Sequence, residues 1–387
     1  MSRAAAANAA FLACTFVAFA VGMAYLPKWL SAQGLDPQWL GVALALGAAG
    51  RLVGGMYAGR IADALGDRRR VLRWACLTSA CTVALYLPAA GLPVALVAIS
   101  LLHGLWFGPI GPLSELVTLR AARRHGYDYG RVRACGSFAF LIAVVAAGML
   151  VDWAGIGIAA WLLLTAVAAA AVMARHLPDD GLSGEAPASP AAGGYLTLLR
   201  RPDLRALLVV SGLIQGSHAT YYGFSTVHWT AHGHDATVVG LLWASGVGSE
   251  VLLFLAARGL AERLGPVRLA LAAATAGLLR WGIAAETVWL PALFVSCMLH
   301  GLTFGAMHLA AMLFLQERMP PGRAAMGQTL LAALGSGLWL MTGSLLSGPL
   351  YAAFGGRAFW AMAAMCMLAV PCILWLSRRM TPVEGAR

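Results

Sequence analysis

The chain has 387 residues, of which 60% are hydrophobic and 11% are charged, and its formal net charge is +11. In an ordinary soluble domain about a quarter of the residues are charged. A chain this apolar cannot hide its surface from water, so the composition excludes a soluble globular protein and indicates a protein built into a membrane.

Apolar blocks of membrane-spanning length recur along the whole chain, separated by short polar gaps. About 20 apolar residues cross the hydrocarbon core as a helix, and a helix satisfies its backbone polar groups within the segment. The sequence therefore predicts an all-α integral membrane protein with twelve transmembrane helices. The predicted spans are residues 8–30, 38–62, 71–91, 93–119, 132–153, 156–176, 204–231, 237–259, 266–285, 288–316, 325–353 and 356–377.

The arginines are concentrated in every second gap, beginning with the run from Arg68 to Arg70 between spans two and three. The remaining gaps hold only Lys28 and Arg357. Because basic residues accumulate in cytoplasmic loops, the pattern predicts a multi-pass protein of a bacterial inner membrane with both termini in the cytoplasm. The positive charge is scattered over all these loops and forms no single patch, so we expect no nucleic-acid partner.

Two further sequence features bear on processing and cofactors. The seven cysteines lie in or near predicted spans without a CxxC or His/Cys spacing, so we expect no disulfide, metal site or cofactor. The start of the chain, Arg3 followed by an apolar run, resembles a signal peptide. Its removal would leave an odd number of spans and break the arginine alternation, so it is predicted to be an uncleaved first span.

A polar gap from Pro178 to Pro202, rich in Pro, Gly, Ala and Ser, divides the spans into two sets of six. It predicts an N-terminal half at 1–177, a cytoplasmic linker at 178–203, and a C-terminal half at 204–387 that ends in a short cytoplasmic tail.

The two halves carry related words at nearly the same offset. Leu-His-Gly-Leu-Trp-Phe-Gly at 102–108 returns as Leu-His-Gly-Leu-Thr-Phe-Gly at 299–305, and Asp-Ala-Leu-Gly at 63–66 is echoed by Glu-Arg-Leu-Gly at 262–265. Gly-Ser at 136–137 likewise has a counterpart at 335–336. Parallel six-helix repeats of this kind predict a transporter that rocks around a site at the midplane.

The loop between spans two and three resembles the signature loop of the major facilitator superfamily. It has a glycine, an aspartate four residues later, a further glycine and then arginines, at Gly59, Asp63, Gly66, Arg68 and Arg69. The interpretation is a tight cytoplasmic turn in which Asp63 caps and latches a neighbouring helix. A generic basic turn is the alternative.

Ionisable groups inside the spans are the candidate functional residues, because charge is costly in hydrocarbon. His300, Phe304 and His308 are four residues apart and share a helical stripe. Alternatives stay open: a histidine of the repeated word can bind a neighbouring helix, and Glu250 with Arg280 can form a permanent structural pair. The ionisable residues are Arg51, His103, Glu115, Arg133, His218, Glu250, Arg280, His300 and His308.

Two of these groups have further alternatives. Arg51 lies among Gly47, Gly50, Gly54 and Gly55, so it belongs either to a close helix-packing seam or to a cavity. Glu115 and Arg133 either latch spans four and five or contact a solute. A second polar and aromatic stripe lies in span seven, at Gln215, His218, Tyr221, Tyr222 and Ser225.

The segments 215–225, 279–283, 300–312 and 128–137 resemble the phenylpropionate permease group of the major facilitator superfamily and, more distantly, galactoside and nucleoside proton symporters. The resemblance implies the major facilitator fold and proton symport of a small organic solute, favouring an aromatic carboxylic acid such as 3-phenylpropionate. It also implies that Glu250, Arg280 and His300 take part in proton coupling and that Glu115 and Arg133 contact the solute. Span ten has His308 but lacks the second carboxylate of the galactoside symporters, so the proton carrier is Glu250 or a histidine.

From these residues we hypothesise that Arg280 pairs with Glu250 until a solute carboxylate competes for the arginine and Glu250 takes up a proton. Tyr221, Tyr222 and Trp281 would provide an apolar wall for the solute ring, with Gln215, His218 and Phe304 beside it. Nucleoside or sugar symport is the alternative, and drug/proton antiport is less favoured because span five lacks the Gly-Pro-x-x-Gly-Gly word of exporters. The sequence contains no nucleophile motif and no metal-binding motif that would predict an enzyme. We expect a monomer that works with solute, protons and the lipid bilayer.

Overall fold

The computed structural model of the chain describes residues 2–179, 194–320 and 323–380. The described residues are helical almost throughout, and the helices follow the predicted spans in order. In the N-terminal part the helices are α1 (Arg3–Ala24), α2 (Leu26–Ala32), α3 (Pro37–Leu65), α4 (Arg68–Tyr86), α5 (Pro93–Phe107), α6 (Ile110–His125), α7 (Tyr129–Ala154) and α8 (Ile158–Met173). In the C-terminal part they are α9 (Gly194–Leu199), α10 (Pro202–Gly216), α11 (Ala219–Ala231), α12 (Ala236–Leu255), α13 (Ala257–Glu286), α14 (Leu290–Met298), α15 (Met307–Arg318), α16 (Ala324–Ala332), α17 (Leu338–Phe354) and α18 (Phe359–Met380).

Several predicted spans are broken helices. Span one is α1 with α2, span four is α5 with α6, and span seven is α10 with α11. In spans ten and eleven the break is a π-helical turn, at Gly301–Ala306 and Ala333–Gly337. Such wide turns leave the regular hydrogen-bond ladder and are frequent at functional sites.

Nine helical stretches of the described residues are long and apolar enough to cross a membrane. The difference from twelve has three causes. Arg68–Tyr86 carries several arginines, span seven is split into two short helices, and spans eleven and twelve run together as Ala324–Arg379. The prediction of an all-α integral membrane protein is confirmed.

The repeated words of the two halves occupy equivalent positions in the helices. Gly66 and Gly265 both have a positive φ, 61° and 64°; Gly66 ends α3, and Gly265 kinks α13 between two helical stretches. A methyl group on Gly104 would lie 2.1 Å from the Gly47 carbonyl oxygen, and one on Gly301 would lie 2.6 Å from the Ser249 carbonyl oxygen. In both halves the glycine after the repeated histidine therefore lets two helices approach backbone to backbone.

The chain divides into two compact units, one of Met1–Ala188 with Tyr222–Ala244 and the other of Ser189–Tyr221 with Ser245–Arg387. The start of span eight is held in the first unit by Tyr25, which lies between α1 and α2. The Tyr25 hydroxyl donates to the carbonyl oxygens of Val144 and Ala236, at 2.7 and 3.1 Å. Residues 180–193 of the predicted linker lie outside the described residues, so the linker remains a prediction.

The apolar core of the second unit lies among α10, α13, α15 and α18. Leu207, Ile214, Phe314 and Ile373 are almost completely buried there. Alanines on α13 and α15 keep these helices close, and one side of this core carries the candidate site.

Candidate functional site

Arg280 of α13 is the most completely buried charged side chain of the second unit, with no exposed surface. Its guanidinium carbon lies 4.6 Å from the centroid of the Tyr221 ring and 4.3 Å from that of the Trp281 ring. Arginine stacks on aromatic faces in this way because the ring faces carry negative charge. The two rings stabilise the guanidinium and leave only its edges for hydrogen bonding.

One corner of this guanidinium is fully engaged. Nη1 lies 2.9 Å from the Thr303 hydroxyl, 2.8 Å from Nδ1 of His300 and 3.2 Å from Nε2 of His218. A guanidinium only donates hydrogen bonds. Each of these three neighbouring atoms must therefore either accept a hydrogen bond from Nη1 or form a hydrogen bond with one of the other two. The Ser296 hydroxyl also donates to the Arg280 carbonyl oxygen at 3.0 Å, which ties α14 to α13.

The other edge of Arg280 is unused. Nε and Nη2 are buried and have no hydrogen-bond partner within the described part of the chain. Buried polar groups without partners are rare and costly, most of all when they carry charge. An Nε/Nη2 edge presents two parallel N–H groups, which match the two oxygens of a carboxylate.

His218 lies in the turn that breaks span seven between α10 and α11. Its Nδ1 is 3.1 Å from the Ile214 carbonyl oxygen and 3.2 Å from that of Gln215, so Nδ1 carries the proton and Nε2 accepts. Nε2 is 3.1 Å from the Thr303 hydroxyl. The break in the helix thus places His218 beside Arg280. The Gln215 amide donates to the Phe304 carbonyl oxygen at 3.3 Å, while its Oε1 is buried without a partner.

His300 stands between Arg280 and Glu250. Its Nε2 lies 3.6 Å from Oε2 of Glu250, on the side of the ring opposite the arginine. The expected Arg280–Glu250 pair does not form. The hydrogen-bond partners of the Arg280 side chain are His300, Thr303 and His218 instead. Helix α12 carries Glu250 past the imidazole, which separates the carboxylate from the guanidinium. His308 is exposed and contacts Phe254, with ring centroids 6.1 Å apart.

The aromatic side chains that were predicted to form one wall for the solute ring lie in different surroundings. Trp281 is fully buried, donates from Nε1 to the Ser217 hydroxyl at 3.0 Å, and stacks on Phe359. Phe304 stacks on His300 with centroids 5.3 Å apart and keeps part of its surface exposed. Tyr222 belongs to the first unit, where it stacks on Trp243. Trp281 therefore supports the arginine from inside the helix packing.

In the first unit, Glu115 and Arg133 contact one another across α6 and α7. The guanidinium of Arg133 donates to Oε1 of Glu115, and the Tyr129 hydroxyl donates to Oε2 of the same carboxylate. Arg133 also donates to the Ser137 hydroxyl at 3.2 Å and lies 4.4 Å from the centroid of the Phe16 ring. Both charged side chains are about one-third exposed, so the pair can latch the helices and still reach a solute.

The remaining charged candidates of the first unit differ in their surroundings. Arg51 is exposed, but its backbone lies in a close helix approach: a methyl group on Gly108 would lie 2.5 Å from the Arg51 carbonyl oxygen. His103 is buried, with Nδ1 3.4 Å from the Ser79 hydroxyl.

The signature loop forms the tight turn that its sequence predicts. Gly66 ends α3 in the left-handed conformation, and the Asp67 carboxylate accepts a hydrogen bond from the Arg70 backbone N–H at 3.0 Å. Asp67 is thus the residue that caps α4. The side chain of Asp63 lies outside the described residues, so its latch role remains a prediction.

Thr303 is the site residue that the sequence analysis missed. A threonine in an apolar span carries no charge and does not stand out. A signal was present, because Thr303 is the one position at which the word at 299–305 differs from its copy at 102–108, where Trp106 stands. Among the described residues, no three His, Cys, Asp or Glu side chains are grouped as metal ligands.

Comparisons with known proteins agree with this architecture. The model of the MFS_1 like family matches residues 9–362. The chain is 33% identical over 362 residues to a probable 3-phenylpropionic acid transporter of Escherichia coli (strain K12), covering 92% of this chain and 93% of that protein. It is 28% identical over 274 residues to a maltose permease of Geobacillus stearothermophilus, covering 70% and 68%.

Among solved structures, the crystal structure of the nucleoside transporter NupG aligns with a TM-score of 0.82 at 14% identity, covering 99% of this chain and all of that one. The human organic anion transporter MFSD10 aligns with a TM-score of 0.62 at 18% identity, covering 97% and 99%. At such identities the likeness concerns the fold alone. The relatives and structural neighbours are transporters and not enzymes. The chain belongs to the MFS_1 like family of the major facilitator superfamily and is a multi-pass membrane transporter of that type.

Proposed function

We propose that this transporter imports a small aromatic carboxylic acid, such as 3-phenylpropionate, together with a proton. The observation that carries the proposal is the Nε/Nη2 edge of Arg280, a buried cation whose two donors on this side have no partner among the described residues. A carboxylate would accept both N–H groups and neutralise the charge, which compensates the guanidinium more completely than a hydroxyl does.

The aromatic preference is supported by the side chains around Arg280 and His300. Tyr221 and Phe304 both stack on His300, and their rings offer apolar and edge-to-face contacts to a phenyl group. Arg280 has no exposed surface, so a ligand reaches it when neighbouring side chains move during the transport cycle. The relative from Escherichia coli, named a probable 3-phenylpropionic acid transporter, supports the same solute class.

Nucleoside or sugar symport is the second candidate. The buried Oε1 of Gln215, which has no partner in the described part of the chain, suits a solute hydroxyl as donor. The maltose permease relative supports this reading. Gln215 would then bind a neutral solute, and the Arg280 edge would take a hydroxyl oxygen. Drug/proton antiport has no such observation in its favour.

We also propose roles for the other ionisable residues, the oligomeric state and the membrane location of this chain. Glu115 and Arg133 contact the solute, Glu250, Arg280, His300 and His308 serve proton coupling, and the protein works as a monomer. It lies in the bacterial inner membrane with both termini in the cytoplasm, following the arginine distribution. The linker of residues 178–203 joins two six-helix halves.

The test uses proteoliposomes loaded with a pH-sensitive dye. Internal acidification is recorded when 3-phenylpropionate, a nucleoside or a galactoside is added outside, against protein-free vesicles that report passive acid leakage. Acidification above leakage with 3-phenylpropionate alone, abolished in R280A, is the expected result. A response to the neutral solutes alone would favour the second candidate, and silence to all three would contradict proton-coupled import of either kind.

A further inference from the structure

The hydrogen bonds around Nη1 of Arg280 can be assigned proton by proton. Nη1 carries two hydrogens and has three neighbouring atoms, on His300, Thr303 and His218. One assignment satisfies all of them: Nη1 donates to Nδ1 of His300 and to the Thr303 hydroxyl, and that hydroxyl, which also lies 3.2 Å from the His300 carbonyl oxygen, donates to Nε2 of His218. The distance from the Thr303 hydroxyl to Nε2 is 3.1 Å, which fits a hydrogen bond.

This assignment fixes the charge of both imidazoles. An arginine N–H cannot accept, so Nδ1 of His300 must offer a lone pair as long as Nη1 points at it. His300 is then neutral, and its remaining hydrogen is on Nε2, facing Glu250. A second proton on His300 would place the imidazolium next to the Arg280 guanidinium, with the N–H groups of Nδ1 and Nη1 pointing at each other. While Arg280 holds this position, it blocks protonation of His300.

We propose that His300 carries the transported proton and that Arg280 controls when this proton can bind. The inference rests on the proposed function. A solute carboxylate that binds the Nε/Nη2 edge neutralises Arg280 and draws Nη1 away from His300. The lone pair of Nδ1 then accepts a proton from hydronium, which leaves as water, and His300 becomes an imidazolium. When the carboxylate leaves, Nη1 returns to Nδ1 and the proton is released to water.

Glu250 has a supporting role in this scheme. Its carboxylate lies 3.6 Å from Nε2 of His300 and would face the N–H of the imidazolium, which stabilises the charged form. The other titratable or charged groups that face His300 are Arg280 on α13, His218 in the turn before α11 and Tyr221 on α11. Of these groups, Arg280 both contacts Nδ1 and would form an ion pair with a bound anion.

His218 is the natural control because it shares the same arginine in a different way. Its Nδ1–H is held by two carbonyl oxygens, and its Nε2 receives the Thr303 hydroxyl in the assignment above. Movement of Nη1 leaves the bond from Thr303 in place. We therefore expect His218 to stay neutral throughout, as a residue that positions Thr303 and Arg280.

The experiment measures proton uptake on binding. Purified full-length protein is titrated with 3-phenylpropionate by calorimetry in two buffers that differ in ionisation enthalpy, which gives the number of protons bound per ligand. Wild type is expected to take up about one proton per bound ligand. Over the pH range in which binding takes up this proton, the Kd is expected to fall about tenfold for each unit by which the pH decreases. H300Q, whose amide oxygen still accepts from Nη1, is expected to bind the acid without proton uptake. H218Q is expected to keep an uptake of about one proton per bound ligand, while its affinity for the acid falls because His218 positions Thr303 and Arg280.

Three other outcomes, for H300Q, E250Q and wild type, would overturn the inference. Proton uptake that persists in H300Q would overturn the inference while leaving carboxylate transport intact. E250Q gives an independent test should H300Q not fold: it is expected to keep the proton uptake with a shift to lower pH, and complete loss would make Glu250 the carrier and overturn the inference. A wild type that does not bind 3-phenylpropionate would overturn the proposed function and this inference with it.

Discussion

Asp152, at the end of α7, binds Thr237, in the first turn of α12, through both the backbone and the side chain. Its Oδ2 accepts from the Thr237 N–H at 2.8 Å and from the Thr237 hydroxyl at 2.6 Å, and its Oδ1 accepts from the Ala236 N–H at 2.7 Å. A carboxylate from one helix thus caps the N-terminus of another, where free N–H groups and the helix dipole favour negative charge.

We expect D152A to lower the thermal stability of the purified protein because it leaves two N–H groups of α12 without their acceptor. The expected cost is about 1 kcal/mol, the usual cost of losing a helix cap. T237V removes only the hydroxyl contact and should cost less. A thiol-reactive melting assay in detergent measures both. Equal melting temperatures for D152A and wild type would contradict the capping role.

A matched pair of glycines tests the seam between α3 and α5. A methyl group on Gly54 would lie 1.9 Å from the Leu105 carbonyl oxygen, whereas one on Gly55 would meet nothing within 4 Å. G54A should force the helices apart at a cost of about 1–3 kcal/mol, while G55A should be neutral or stabilising because alanine favours a helix. Yields of folded protein in size-exclusion chromatography report both, and a monodisperse, stable G54A would show that the seam is looser than described.

The Glu115–Arg133 contact predicts coupling between two substitutions. E115A removes the acceptor of both Arg133 and Tyr129. For a partly exposed pair we expect a coupling of about 1 kcal/mol, so that E115A/R133A is less destabilised than the two single variants added together. Melting temperatures of the four proteins complete the cycle. Strict additivity would mean that the two side chains act independently, which fits a solute contact better than a latch.

Asp203, which precedes the seventh span, predicts a pH dependence of stability. Burial raises the pKa of its carboxyl, but hydrogen bonds from Arg201 and the charges of Arg201 and Arg318 outweigh burial and hold the pKa below its usual range. A lowered pKa stabilises the fold above the unfolded value of about 3.9, and this contribution is lost as the pH falls through the folded pKa. D203N should melt below wild type at neutral pH, and the gap should shrink as the pH falls below the unfolded pKa and through the lowered folded pKa. A gap that is constant with pH would contradict the assignment.

The topology of this protein follows from its sequence to a large extent. Apolar length, the arginine alternation and the copied words around His103 and His300 predict twelve helices in two related halves, because these features depend only on local composition. The turns at Gly66 and Gly265 follow from the same logic, since glycine is the residue that adopts a positive φ without strain.

The partners of Arg280 do not follow from the sequence in the same way. The α-helical stripes assume regular helices, but span seven breaks beside His218 and span ten widens into a π-helical turn after His300. Both irregularities change which side chains meet. Charge alone favours an Arg280–Glu250 pair, whereas the helix packing places His300 between them. Thr303 was missed because neutral polar residues in apolar spans are usually satisfied by their own helix.

The Nε/Nη2 edge of Arg280 is expected to bind the carboxylate of the solute. The direct measurement compares the binding of 3-phenylpropionate and 3-phenylpropanol, which share the ring and chain, to wild type, R280K and R280A. We predict that wild type prefers the acid by at least about tenfold, as expected for a charge-assisted bidentate pair, and that R280K loses most of this preference because lysine lacks the planar fork. Equal binding of acid and alcohol by wild type, or an unchanged preference for the acid in R280A, would contradict the account.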